Sequence, residues 1–195
     1  FLKKKFVKSL FFPSHNRGKA LPVNLIKLLR KYPGSWDLPE LPELGSPTTK
    51  EGLIVEAQNY FSKKFSTNQC WFGVNGASGL IQSGILAMAQ RGKYLLMPRN
   101  IHTCVIKACI IANLIPILFD IEYSEETGHY RPITSDWFKK VLNNNQLNDV
   151  QLAGVVLVNP YYQGYASDIE SLIDLAHERN IPVLVDEAHG AYFLF

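Results

Sequence analysis

The sequence predicts an α/β protein built on a mostly parallel sheet with helices on both faces, which makes three layers. Two observations lead to this prediction. From about residue 69 onward, short runs rich in Val, Leu and Ile alternate with longer amphipathic stretches, and this rhythm is typical of βαβ units. The short runs also lack polar alternation, as expected of strands that are buried on both faces.

Five strands and four intervening helices follow from this rhythm. Turn residues bound each of the short apolar runs. The strands are predicted near Cys70 to Val74, Tyr94 to Met97, Ile115 to Phe119, Gly154 to Val158 and Pro182 to Asp186. The helices are predicted near Ser78 to Gln90, His102 to Ala112, Ser135 to Asn143 and Ile169 to Arg179.

Residues 1 to 66 are predicted to form a separate N-terminal arm. Prolines and glycines interrupt Phe11 to Leu21 and Tyr32 to Pro47, which leaves one helix near Pro22 to Lys31. Residues 67 to 195 would then form the main domain.

Composition excludes several classes of protein. Of the 195 residues, 47% are hydrophobic and 19% are charged, as in an ordinary globular protein. The net charge of +3 comes without a basic stripe with interleaved aromatics, so nucleic acid is not an expected partner. The longest apolar stretch, Ala108 to Phe119, is broken by Asn113 and Pro116, so no membrane span is expected.

The three cysteines point to a reducing compartment. They form no C-x-x-C pair, which argues against a disulfide framework and against a zinc site. No metal is therefore expected, and a cytoplasmic location fits best.

The strongest chemical signal is Asp186, which ends a buried strand and opens the run Asp-Glu-Ala-His-Gly. Ligands of open α/β sheets bind at the carboxyl ends of strands. A nucleotide-hydrolysing helicase shares this run but also needs a G-x-x-x-x-G-K-[ST] loop, which the chain lacks. The alternatives are a carboxylate that caps a turn, or an enzyme of pyridoxal 5′-phosphate (PLP), in which an aspartate keeps the pyridine nitrogen protonated.

Other strand ends carry complementary groups. Gly76, Ala77 and Ser78 open a predicted helix and suit a phosphate group, although the same residues make an ordinary turn and helix cap. His102 follows the next strand and can stack on a ring, or it is a capping or core histidine. A tyrosine-rich loop from 158 to 168 shapes a pocket or covers the sheet. Together these are the parts that a PLP site requires.

With these residues considered, the chain resembles the ornithine/lysine/arginine decarboxylases, PLP-dependent enzymes of the aspartate-aminotransferase fold type, fold type I. The similarity spans nearly the whole chain. It includes residues 12 to 18, the acidic stretch 37 to 44, and residues 74 to 78, 98 to 102, 160 to 168 and 186 to 190. Ser14, Asn16 and Tyr161 differ from the residues usual in the family, which are Gly, Lys and Thr.

The resemblance implies a role for each candidate residue. Gly76, Ala77 and Ser78 would contact the cofactor phosphate, and His102 would stack on the pyridine ring. Asp186 would pair with the ring nitrogen, and His189 would lie near the phenolic oxygen. The implied reaction is α-decarboxylation of lysine, arginine or ornithine, carried out by a homodimer or a higher oligomer.

The resemblance also implies that the Schiff-base lysine lies outside this chain. Relatives carry it in a His-Lys pair some tens of residues beyond the Asp-Glu-Ala-His-Gly run, whereas this chain ends at Phe195. Residues 67 to 195 are therefore expected to be an incomplete domain and the chain alone to be inactive. In the family's fold, two strands that come later in the sequence separate the Cys70 to Val74 strand from the others.

Two alternatives share most of these features. Another fold type I enzyme, such as an aminotransferase or an α-oxoamine synthase, would share Asp186 and His102 but would lack the acidic stretch. A non-catalytic remnant would share every feature and have no activity.

Overall fold

A computed structural model describes residues 21–35, 37–39, 41–46 and 49–190. The family-like segment at residues 12 to 18 lies outside these ranges. The chain divides into two compact units, with the boundary between Cys70 and Trp71.

The described residues of the first unit form two α-helices rather than the single helix predicted. Helix α1 spans Val23–Leu29, and helix α2 spans Leu53–Lys64. The sequence prediction missed α2 because it extended the irregular, proline-rich arm to residue 66. The last proline of the arm is Pro47, so nothing in α2 breaks a helix. Glu56 in the first turn and lysines in the last turn also complement the helix dipole.

The second unit is a three-layer α/β structure, which confirms the predicted fold class. In the described residues, its sheet has four parallel strands in the order β2-β1-β5-β6. These strands are β1 Tyr94–Pro98, β2 Ile115–Phe119, β5 Leu152–Val158 and β6 Val183–Asp186. The helices are α3 Gly76–Met88, α4 Thr103–Ala112, α5 Ser135–Leu142 and α6 Ile169–His177.

Helices cover both faces of the sheet, which explains why the strands are apolar without alternation. On one face, Leu95 and Met97 pack in a core that includes residues of α3 and α4. On the opposite face, Leu96 packs in a second core that includes residues of α5 and α6. Successive residues of one strand therefore enter different cores.

The predicted strand at Cys70 to Val74 is wrong. This segment is not a strand, and its apolar side chains are exposed, Val74 at 98% and Trp71 at 59%. An extended segment becomes a strand only when a neighbour accepts and donates its main-chain hydrogen bonds. Within the described part of the chain, the sheet offers the segment no such neighbour.

A small hairpin was not predicted. Strands β3 Tyr123–Ser124 and β4 His129–Tyr130 pair antiparallel. The rings of Tyr123 and Tyr130 meet edge to face at 5.4 Å, and Arg131 forms an ion pair with Glu122. Strands of two residues are too short to produce a periodic pattern in the sequence.

Candidate active site

Three strand ends meet at one edge of the sheet. Strands β1, β5 and β6 are parallel, so their carboxyl ends share this edge, and the connections change direction between β1 and β5. A cavity of about 400 Å³ opens there, within the range of small-molecule sites. Its lining includes Ala77, Ser78, Asn100, Ile101, His102, Val158, Pro160, Tyr162, Asp186 and His189.

The first turn of α3 contributes Ala77 and Ser78 to the cavity, whereas Gly76 is outside its lining. Gly76 has a φ of +63°, so the backbone there favours glycine as the chain enters the helix. The first amides of an α-helix have no acceptor within the helix, and the helix dipole favours negative charge at that end. This end of the cavity therefore suits an anion such as a phosphate group.

His102 is the N-cap residue of α4. Its Nδ1 accepts a hydrogen bond from the amide of Cys104 at 3.2 Å. This bond fixes the ring within the cavity lining and, in neutral imidazole, leaves the proton on Nε2. The capping role and a ring that faces a ligand are therefore compatible here.

Asp186 is the last residue of β6 and is 5% exposed. Its Oδ1 accepts a hydrogen bond from the amide of Ala188 at 3.1 Å. Across residues 21–190 as described, no Lys or Arg forms an ion pair with this carboxylate. Because a buried charge without a counter-charge is costly, the carboxylate fits a cavity whose occupant carries a positive group.

His189 lines the same cavity and meets Tyr162 edge to face, with ring centroids 5.3 Å apart. Tyr162 belongs to the tyrosine-rich loop, which therefore shapes the cavity. The six candidate residues thus separate into five that line the cavity, Ala77, Ser78, His102, Asp186 and His189, and Gly76, which does not.

A buried polar layer joins this loop to the sheet. Asn159, which is 5% exposed, donates its amide to the carbonyl of Asp186 at 3.0 Å. The Oδ1 of Asn159 accepts the amide of Ser167 at 2.8 Å, and the Ser167 hydroxyl accepts the amide of Ile133 at 3.0 Å. The loop is therefore held at its beginning and at its end.

Asn100 is the polar cavity residue that sequence analysis did not single out. It lies two residues before His102, in the connection after β1. The general rule that strand ends carry site residues could have found it. Asparagine is common in such turns for structural reasons, so the residue type alone gave no signal.

Neither lysine nor arginine is among the side chains that line this cavity. The described ranges contain no cluster of three or more His, Cys, Asp or Glu residues that could hold a metal ion. They also contain no helix long and apolar enough to cross a membrane.

A larger cavity, of about 570 Å³, lies along β2 and α5. Its lining includes Phe119, Asp120, Trp137 and Lys140. None of the candidate residues from the strand ends borders it. Its size alone gives no reason to place the chemistry there.

Known proteins similar in sequence include amino-acid decarboxylases. The chain is 30% identical over 183 residues to the arginine decarboxylase of Bacillus subtilis (strain 168), which covers 94% of this chain and 36% of that protein. It is 29% identical over 166 residues to the lysine decarboxylase LdcA of Pseudomonas aeruginosa, which covers 80% of this chain and 22% of that protein. The chain thus spans about a third or less of these relatives' length.

Solved structures show the same fold at lower sequence identity. The SepCysS–SepCysE N-terminal domain complex matches with a TM-score of 0.63 and 21% identity, over 85% of this chain and 41% of the other. The PLP-dependent protein YhfS from Escherichia coli matches with a TM-score of 0.56 and 16% identity, over 84% of this chain and 42% of the other.

The sequence signature described as "Orn/Lys/Arg decarboxylase, major domain" matches residues 6–195, nearly the whole chain. The fold and the relatives agree with this match. The chain therefore belongs to the Orn/Lys/Arg decarboxylase family, and residues 6–195 match its major domain.

Proposed function

We propose that this chain provides the cofactor-binding region of a PLP-dependent enzyme that decarboxylates a basic amino acid. The observation that supports the proposal most directly is the environment of Asp186. This buried carboxylate has no cationic partner among the described side chains and borders a cavity that Ser78 and His102 also line. A protonated pyridine nitrogen is a counter-charge suited to such a carboxylate.

Each residue would hold a different part of the cofactor. Asp186 would accept a hydrogen bond from the ring nitrogen and keep it protonated. The first amides of α3 and the Ser78 hydroxyl would donate to the phosphate group. His102 cannot rotate without losing its bond to Cys104, so it would present a fixed ring for stacking. His189 would lie near the phenolic oxygen, as the family resemblance implies.

PLP, when bound, supplies an electron sink for the electron pair left as carbon dioxide departs. The residues of this chain would position that sink and set its charge. Asp186 would keep a proton at the ring nitrogen, while the cavity walls at Val158 and Pro160 would exclude water from one side.

Arginine, lysine and ornithine are the proposed substrates. The relatives named arginine decarboxylase and lysine decarboxylase favour this class, with arginine as the first substrate to test. A homodimeric assembly and a cytoplasmic location stay predictions.

The test is to purify the protein that contains this chain, add PLP, and measure amine and carbon dioxide released from each of the three amino acids. The proposal predicts a PLP-dependent product from at least one of them. Transamination or acyl-CoA condensation without decarboxylation would instead identify another fold type I activity. PLP binding without any turnover would favour a non-catalytic remnant.

Replacing Ser78 with alanine is expected to weaken PLP binding by about 1–3 kcal/mol, because a hydrogen bond to a charged phosphate is lost. The dissociation constant can be measured by equilibrium dialysis. Ser83→Ala is the matched control, since Ser83 lies on the same helix, is exposed and, among the described residues, bonds only to the carbonyl of Gly79. Equal affinities for the Ser78 variant and the parent protein would contradict the phosphate contact.

Two substitutions of His102 are expected to separate its two roles. His102→Phe keeps a ring but loses the cap, so PLP affinity should stay close to that of the parent protein while stability falls by about 1 kcal/mol. His102→Asn keeps a capping oxygen but loses the ring, so affinity should fall by about 0.5–1.5 kcal/mol. Urea denaturation and dialysis measure the two effects. Weaker PLP binding in the Phe variant than in the Asn variant would contradict stacking.

A further inference from the structure

We propose that Ser167 is a positioning residue of the candidate site, because it holds the base of the tyrosine-rich loop and so keeps Pro160 and Tyr162 where they form one wall of the cavity. Ser167 itself is outside the cavity lining and acts through Asn159. This inference deepens the proposed function and rests on it, since PLP is the ligand whose binding the wall would serve.

The beginning of the loop divides its side chains between the cavity and the protein interior. Val158, Pro160 and Tyr162 line the cavity. Asn159 and Tyr161, which alternate with them, are 5% and 2% exposed and do not belong to the lining. Because the two sets share one short segment, a bond that holds Asn159 also limits the movement of its neighbours in the cavity wall.

Ser167 joins this segment to other parts of the second unit. Its amide donates to Oδ1 of Asn159 at 2.8 Å and closes the loop across eight residues. Its hydroxyl accepts the amide of Ile133 at 3.0 Å, from the segment before α5. The amide of Asn159 in turn donates to the carbonyl of Asp186 at 3.0 Å. We call the side chains of Ser167 and Asn159 the loop clamp, since they tie the loop to both neighbouring segments.

Beyond the loop clamp, the loop is closed on itself by main-chain hydrogen bonds. The amide of Tyr161 donates to the carbonyl of Tyr165, and the amide of Gly164 donates to the carbonyl of Tyr161, both at 2.8 Å. This turn carries Tyr162, whose ring meets that of His189 with centroids 5.3 Å apart. A turn bonded in this way is expected to move as a unit, so the loop clamp at its base sets where the Tyr162 ring lies.

Loss of the Ser167 hydroxyl would leave a buried donor without an acceptor. Ile133 is 4% exposed, and among the described residues its amide donates to this hydroxyl alone. A buried N–H without a partner is costly, so arrangements in which the loop and this segment move apart and admit water become more populated. If only a fraction of molecules keeps the binding arrangement, the apparent dissociation constant rises by the inverse of that fraction.

The experiment uses the protein that contains this chain and makes two measurements. Equilibrium dialysis gives the dissociation constant for PLP, and amide hydrogen exchange without PLP reports the opening of residues 160–167. Ser167→Ala should raise the dissociation constant about two- to tenfold, the effect of one neutral hydrogen bond, and should speed exchange in these residues. Ser167→Thr keeps the hydroxyl and should return both values toward those of the parent protein.

Asn159→Ala tests the loop clamp from its other side. It removes the acceptor of the Ser167 amide and leaves the main-chain bond to Asp186. It should raise the same constant, and its effect should not add fully to that of Ser167→Ala, since both act on one structure. Asn144→Ala is the matched control, because the Asn144 side chain also accepts a main-chain amide, that of Gln146 at 2.9 Å, in a connection that does not border this cavity. It should leave the constant unchanged.

Two results would overturn the inference, and they differ in what they say about the proposed function. If the parent protein binds PLP but Ser167→Ala lowers only the unfolding midpoint, the loop clamp is purely structural and the proposed function is unaffected. If the parent protein does not bind PLP, the proposed function and this inference both fail.

Discussion

Replacing Asp186 with alanine is expected to lower the decarboxylation rate by about 10²- to 10⁴-fold. Removing one partner of a buried charge pair costs about 3–5 kcal/mol, and each 1.36 kcal/mol changes a rate tenfold. The fold should survive, because in the described structure the side chain makes a single local hydrogen bond, to the amide of Ala188. Steady-state kinetics and a denaturation curve measure the two effects separately.

Asp186→Asn separates the role of the charge from that of the hydrogen bond, since it keeps an oxygen for the Ala188 amide but removes the negative charge. It should be nearly as inactive as the alanine variant and more stable. Asp174→Ala, at an exposed aspartate of α6, is the control and should keep full activity. Near-normal turnover in both Asp186 variants would refute the assignment of this carboxylate to the ring nitrogen.

Replacing Phe138 with alanine is expected to lower the free energy of unfolding by about 3–5 kcal/mol. Phe138 is fully buried on α5, and its ring lies 6.0 Å from the ring of Phe119 at the end of β2. The deleted ring would leave a cavity between helix and sheet that neighbouring side chains can fill only in part. Urea denaturation followed by circular dichroism gives the free energy of unfolding.

Lys139→Ala provides the control, because the lysine is exposed on the same helix and should change stability by less than about 0.5 kcal/mol. If Phe138→Ala destabilised the protein no more than this control, the result would contradict the burial of Phe138 between α5 and the sheet.

The strands of the sheet could be predicted because they are short apolar runs bounded by turn residues. Strand β2 was predicted with its observed bounds, Ile115–Phe119, because an apolar run of five residues between turns favours a strand. The segment Cys70 to Val74 has similar composition but is not a strand. Composition indicates which residues favour extended backbone, whereas pairing depends on a neighbour that no local pattern identifies.

The candidate site could be predicted only in part, for a related reason. The position of His102 and Asp186 at strand ends was enough to predict that they share one cavity, because the strands of a parallel sheet end at the same edge. It did not reveal Asn100 or the buried hydroxyl of Tyr161. Tyr161 looked like a bulky replacement for a small hydroxyl, and its burial depends on side-chain packing that the sequence does not display.

The pairing of Val158 with Asp186 at the ends of β5 and β6 has a consequence for how the protein acquires its native state. A slip of one residue between these strands would turn the carboxylate to the opposite face of the sheet. Only the correctly paired chain would then bind a ligand with a positively charged group at this carboxylate, and a ligand stabilises the form it binds in proportion to the logarithm of its concentration. The ligand would thus favour correct folding, because it stabilises the molecules in which the last described strand pairs in its native register.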